Sequence, residues 1–198
     1  MIDLDSLRAL RTASPDYEET ERLKAEFLNL RGQRRPFFLT GQELDRVFHW
    51  KLRGQYRRQF TKRSKTPDDV YRGVTEAVFK VVGPDLEYEI AVRLGLLAAL
   101  PGVGVPVASA ILALTGPEHY CVIDFRGWRV MFGEERTAFG VSDYIRYRGE
   151  VARLAIELDW PVQEVDLAMW EYDRRRRSNR RSNTAVQRTG ARDARPGR

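Results

Sequence analysis

Five residues, Leu100 to Gly104 (LPGVG), separate two apolar stretches and constrain the chain more than any other segment. Upstream lies 86–99, ending in the apolar run from Leu94 to Leu100. Downstream lies 106–115, rich in small residues and closed by Gly116 and Pro117. Both stretches are long enough for helices, and neither alternates as a strand does. One proline and two glycines in so short a connection predict a tight turn, so the helices fold back on each other as a hairpin. Gly102 and Gly104 are expected to take backbone angles closed to residues with a Cβ and to admit a close backbone approach. Ala108, Ser109 and Ala110 keep the second helix thin enough to lie against the first. Amides from Gly102 to Val105 would then point outward at a helix start, where the dipole favours an anion. A nucleic-acid phosphate suits that place without any base being read. The plainer alternative is a glycine-rich connection with no ligand.

The rest of the chain reads as helix after helix, which predicts an all-α fold. Residues 16–31 carry Leu23, Phe27 and Leu30 at helical spacing. Thr40 and Glu43 have the capping-box spacing and open a helix to about Leu52. Thr66-Pro67-Asp68-Asp69 starts another, with Thr66 as the cap and Val70, Val74, Val78 and Phe79 on its apolar side. A short helix follows Asp124, Ser142 caps one ending near Leu158, and Pro161 opens the last, to about Arg176. Alternation is confined to Tyr120–Ile123, and there are no internal repeats. From Ser178 onward large apolar residues are almost absent, so that segment is expected to be disordered.

The net charge of +6 belongs to one end of the chain. Residues 174–198 hold ten arginines and one acid, which leaves 24 basic and 27 acidic residues in the body. Such a tail raises affinity for polyanions or simply solubilises an end. Within the body, 46–66 carries eight basic residues and no acid, interleaved with Phe48, His49, Trp50, Tyr56 and Phe60. Cations beside stacking rings are what a nucleic-acid surface requires. The alternative is a solvated helix end with Phe48 and Phe60 in the core. One cysteine, Cys121, excludes an internal disulfide and any cysteine-held metal cluster. No apolar run reaches the roughly 18 residues of a membrane span, and MIDLDSLRAL has acids where a signal peptide carries basic residues. A cytoplasmic, nucleoid-associated setting without membrane contact is the expectation.

Twenty residues beyond Gly104, directly after the apolar Val122 and Ile123, Asp124 opens a new helix, with Arg126 and Arg129 close by. Taken with the LPGVG turn, this resembles the helix-hairpin-helix DNA glycosylase superfamily, the HhH-GPD group that includes endonuclease III and the mismatch adenine and alkyladenine glycosylases. The resemblance is specific over residues 94–132 and elsewhere extends only to helix order. It implies a two-lobed helical fold, with a barrel lobe of about 36–123 and a second lobe of about 15–35 plus 124–173. Residues 1–14 would be an extension and 174–198 an arginine-rich tail. Asp124 matches the catalytic aspartate, which stabilises the oxocarbenium-like sugar as a base departs; without chemistry it would be a helix cap. The lysine position of bifunctional relatives is Pro106, which cannot form a Schiff base, so no AP-lyase step is expected. The four-cysteine iron–sulfur loop is absent. Backbone carbonyls of Ala98, Leu100 and Val103 would hold a potassium or sodium ion, by the same resemblance.

Base excision from a duplex requires eversion of the nucleotide into a pocket. His49, Trp50 and Gln55 are the base-pocket candidates. Lys51, Arg53, Arg57 and Arg126 join Gly102, Val103, Gly104 and Val105 as DNA-binding candidates. Lys51 is also the one lysine placed to replace the missing nucleophile, although no covalent adduct is expected. His119 and Glu118 read as surface, and Cys121 as a buried small hydrophobe. Leu167, Met169 and Trp170 read as core near Trp128 and Met131, and Tyr144 and Tyr147 as ordinary helix positions. The implied activity is hydrolysis of the N-glycosidic bond of a damaged or modified base in double-stranded DNA by a monomer. It would serve repair or defence against modified phage DNA. The alternative is a non-catalytic helix-hairpin-helix DNA-binding module.

Overall fold

The computed structural model describes residues 2–193, with side chains throughout except at Gln59 and 180–193. Those residues form ten α-helices and one 3-10 helix, and no strand. In chain order they are α1 (Leu4–Arg8), α2 (Tyr17–Gln33), α3 (Gly41–Leu52), the 3-10 helix (Arg53–Gln59), α4 (Phe60–Arg63) and α5 (Asp68–Lys80). Then follow α6 (Leu86–Ala98), α7 (Val105–Thr115), α8 (Phe125–Phe132), α9 (Val141–Leu158) and α10 (Val162–Asp193). The all-α expectation holds.

Helix α7 is the centre. Every residue from Val107 to Thr115 is buried, as befits a helix that is apolar all round. It packs against α2, α3, α6 and α9. The turn before it is as tight as the sequence demands: Val103 N donates to the Leu100 carbonyl at 3.1 Å, and Gly102 sits at φ +77°. Gly104 departs from expectation. Its φ of −104° is ordinary extended backbone, and a Cβ there would meet nothing nearer than Pro106 Cδ at 3.9 Å. The fold therefore needs glycine at 102 and leaves 104 open to the outside.

Between α7 and α8 the chain crosses the interior as an extended segment, with Tyr120, Cys121, Val122 and Ile123 all buried. Buried backbone polar groups must be paired, and side chains from three helices pair these. Ile123 N donates to Ser109 Oγ on α7 at 3.1 Å, and Val122 N to Asp166 Oδ2 on α10 at 3.0 Å. The Tyr144 hydroxyl on α9 donates to the Cys121 carbonyl at 3.1 Å. The isolated alternation at Tyr120–Ile123 is thus a strand-like path without a sheet. Tyr144 and Tyr147, expected to be ordinary positions, are fully buried and carry part of this bracing.

Helix ends follow the sequence with local exceptions. Thr40 and Glu43 form the reciprocal capping box, and Asp85 caps α6. Helix α5 is preceded by Pro67 rather than capped by Thr66, whose hydroxyl donates to the Lys62 carbonyl. Its buried face runs through Tyr71, Thr75 and Val78, and Val70 is exposed. Helix α9 starts after Gly140, with the Asp143 carboxylate accepting from Gly140 N, in place of a Ser142 cap. Residues 2–14 are integrated: Leu7 and Leu10 are buried in the common core, and α1 packs on α10. The backbone of α10 is helical through Ser178 to Asp193, where the sequence reading expects no structure. Arg177, the residue before this stretch, pairs with Glu135 at 2.9 Å.

Two glycines offer opposite tests of the packing. A Cβ at Gly127 in α8 would lie 2.1 Å from the Tyr147 hydroxyl oxygen, whereas one at Gly95 in α6 meets nothing within 4 Å. Gly127→Ala is expected to destabilise by about 1–3 kcal/mol through overpacking. Gly95→Ala should stabilise by about 0.5–1 kcal/mol through reduced backbone entropy. Urea midpoints at equal slope check both.

Candidate functional site

Asp124 is the N-cap of α8. Its Oδ1 accepts from Arg126 N at 2.9 Å and Gly127 N at 3.0 Å. Its Oδ2 faces Lys51 Nζ at 3.4 Å, and that ammonium also approaches the Ile123 carbonyl at 3.5 Å. The carboxylate is therefore held on both oxygens, by a helix N-terminus on one side and a cation from α3 on the other. Its side chain remains 19% exposed. It opens onto a pocket lined by Asp16, Trp50, Lys51, Arg53, Val122, Gln163, Asp166, Leu167 and Trp170. At about 80 Å³ this space holds several waters, so solvent can reach the carboxylate.

The α3 end supplies one wall. The Trp50 indole N–H donates to Thr20 Oγ1 on α2 at 3.0 Å, which fixes the ring. Arg53 ends α3 at φ +46° and pairs with Asp16 at 2.9 Å and Glu19 at 2.8 Å. His49 is not part of the pocket. It stacks on Tyr56 with ring centroids 3.6 Å apart and borders a separate hollow with Glu19, Arg22, Leu23 and Arg46. Successive helical residues point about 100° apart, so His49 and Trp50 do not share this face. Gln55 and Arg57 lie exposed on the 3-10 helix, away from the pocket lining. Arg126 pairs with Asp173 at 3.5 Å and stacks on Trp170 at 4.7 Å.

Helix α10 supplies the other wall, which the sequence reading missed. Gln163, Asp166, Leu167 and Trp170 are spaced i, i+3, i+4 and i+7, one helical face, and all four line the pocket. Leu167 and Trp170, read as core, form its apolar part. Asp166 is 7% exposed, and its Oδ1 accepts from the Tyr147 hydroxyl at 2.7 Å. Burial first, and the negative charge of Asp124 second, push its carboxyl up to about 7, against the opposing effects of Tyr147, Lys51 and the Val122 amide. Gln163 is 1% exposed, and neither side-chain amide atom has a hydrogen-bond partner. A signal for both was present: two polar residues interrupt the apolar face of PVQEVDLAMW.

The hairpin and the pocket are mechanically joined, since Ser109 on α7 holds the amide of Ile123, the residue before Asp124. Val103 is buried at 6%, so it can offer a ligand only its backbone, while Val105 packs against the core edge. Helix α7 has Gly104 at its N-cap position and no side-chain cap. Pro106 carries no N–H and Val107 N donates to the Gly104 carbonyl at 2.9 Å, so within the first turn the Val105 amide is the one left to an outside acceptor. Of the three hairpin carbonyls implied as cation ligands, that of Leu100 already accepts from Val103 N; a carbonyl oxygen retains a second lone pair. Cys121 is buried, and burial raises its thiol well above the usual range. No helix among the described residues is long and apolar enough to cross a membrane. No protein-family model matches the chain, and comparison with curated proteins and with solved structures returns no match.

The raised Asp166 gives a signed stability prediction. Its folded value near 7 exceeds the unfolded 3.8, so between these values the native state binds the extra proton. Stability then falls as pH rises from about 4 to 7 and levels off above. Asp166→Asn removes this slope. Urea midpoints at pH 4.5 and 7.5 should converge in the variant relative to wild type, and an unchanged slope would place the titration elsewhere.

Proposed function

We propose that the protein is a monofunctional DNA glycosylase of the helix-hairpin-helix type, hydrolysing the N-glycosidic bond of a damaged or modified base. In this reading the chain is two-lobed, and the pocket lies in the cleft between the lobes. The observation that carries it is Asp124, an amide-held carboxylate at the edge of a water-accessible pocket walled by Trp50 and Trp170.

The chemistry follows from that placement. The α7 N-terminus takes a phosphate of duplex DNA on the Val105 amide, where the helix dipole favours an anion, and the exposed Arg57, Arg58 and Lys62 add sequence-independent attraction. The carbonyls of Ala98, Leu100 and Val103, an all-oxygen set, would hold a potassium or sodium ion, which would supply positive charge for the bound backbone. An everted nucleotide enters the pocket, its base beside the two indoles. As the bond from sugar to base lengthens, positive charge grows at the anomeric carbon, and the fixed Asp124 carboxylate stabilises it. Water adds to that carbon and yields its proton to Asp124, leaving a free base and an abasic site.

Asp124→Asn tests this with little disturbance, since asparagine caps helices as well as aspartate. The variant is expected to bind duplex DNA normally and to lose base release by about 10²–10³-fold, the usual scale for removing a transition-state charge partner. The assay is a panel of duplexes and natural DNAs bearing modified bases, followed by alkaline cleavage at abasic sites. Unchanged release removes Asp124 from the reaction and leaves the DNA-binding-module reading.

Lys51 favours a second reading. Its amine stands 3.4 Å from Asp124, although it comes from α3 and not from the hairpin helix, where Pro106 sits. An amine there could attack the anomeric carbon and form an imine, opening a lyase path. The monofunctional reading expects no covalent product on borohydride treatment of a reaction in progress. A trapped protein–DNA adduct that disappears in Lys51→Gln would establish the lyase instead.

A further inference from the structure

Gln163 and Asp166 form the inner wall of the Asp124 pocket, and neither is explained by capping or by phosphate contact. Resting on the glycosylase reading, we infer that Gln163 docks the edge of the everted base and that Asp166 delivers the proton on which that base departs. The ligand class is a planar heterocycle with a hydrogen-bond donor and an acceptor at adjacent positions, the pattern a primary carboxamide complements.

The case for Gln163 is its cost. A buried amide with both polar atoms unpaired is destabilising, and an apolar residue of equal size would avoid it. It lies one helical turn from Asp166 and two from Trp170 on the same face of α10. A base lying against Trp170 and the carboxamide therefore share one pocket. Nothing else among the described residues satisfies that amide.

Asp166 is placed for proton delivery by geometry. Tyr147 Oη and Val122 N fix one oxygen each, so the carboxyl cannot swing away from the pocket wall. A Cβ at Gly127 would lie 3.4 Å from its Oδ1 as well as against Tyr147, so the bare glycine leaves room for the pair. The charged and titratable groups facing it are Asp124 from the α8 cap, Lys51 from α3, and Tyr147 and Cys121 behind; Asp16 and Arg53 lie across the pocket. Two carboxyls in one pocket, one buried and one held by amides and a cation, separate into a proton-bearing and a charged partner.

The step balances. The electron pair of the bond from sugar to base passes to the base, which takes the Asp166 proton at a ring nitrogen or exocyclic acceptor. Water supplies oxygen to the anomeric carbon, and its released proton goes to Asp124. Transfer of that proton from Asp124 to Asp166 through pocket water restores the starting state. The net reaction consumes one water and needs no other reactant.

The test uses the full chain and three variants, Asp124→Asn, Asp166→Asn and Gln163→Leu, on the duplex that wild type cleaves best. Asp166→Asn is expected to lower kcat by about 10²–10⁴-fold and to abolish the fall in kcat above about pH 7. Gln163→Leu should raise KM about tenfold, the equivalent of one or two lost hydrogen bonds. It should also match or exceed wild type in urea midpoint. Wild-type kinetics in both variants, with Asp124→Asn inactive, overturns this inference and spares the glycosylase reading. If wild type releases no base from any duplex, that reading falls. The pocket is then judged by saturation-transfer NMR with free adenine, hypoxanthine, cytosine and uracil. Binding lost in Gln163→Leu sustains the base-docking half and rejects the proton delivery, whereas absence of binding overturns both.

Discussion

The structure depends on how four buried residues without a sheet keep their backbone hydrogen-bonded. Tyr120 to Ile123 carry the chain through the interior, and an unpaired amide there would cost as much as a good core contact supplies. Ser109, Asp166 and Tyr144 meet that need from three different helices. Asp124 follows directly, so its position is set by α7, α9 and α10 together, before its own cap bonds are considered. A carboxylate mounted this way reports on the packing of the whole interior.

The bracing also makes a structural group out of a chemical one. Asp166 holds the Val122 amide and at the same time borders the pocket. Deep burial beside a second carboxyl would be untenable if both were fully charged at neutral pH. Lys51 offsets one negative charge, and the rise of Asp166 to about 7 relieves the other. The charge state of this wall is therefore tied to folding stability, with no flexible element needed to link the two.

Much of this was legible in the residues. Helix order, the LPGVG turn, the Thr40 box and the opening of α8 by Asp124 all come from local rules, where a residue and its neighbours within four positions decide the outcome. Gly102 was read correctly because a positive φ is a property of one residue; Gly104 was not, because its role depends on what surrounds it. His49 and Trp50 were assigned together by proximity in sequence, which a helix separates by rotation. Gln163, Asp166 and Tyr147 are the instructive losses. Each lies on a helix whose apolar pattern reads as core; Asp166 takes its meaning from Tyr147 and Val122, 19 and 44 positions away, and Gln163 from the pocket it lines. The i, i+3 pair of polar residues inside an apolar face was the available clue, and it marks a site only when something concave lies opposite.

The two broad readings make different demands on this interior. A module that only grips phosphate needs an uncapped helix start and basic side chains at the surface, and α7 with the 46–66 segment would suffice. It has no use for an unpaired buried carboxamide, nor for an acid lifted toward neutrality beside another acid; both work against folding. Such burdens persist where function requires them, because local conflicts in an otherwise consistent sequence concentrate at working sites. In this chain they converge on one helical face, around the carboxylate that the hairpin helix helps to position, which is where the proposed reaction would use them.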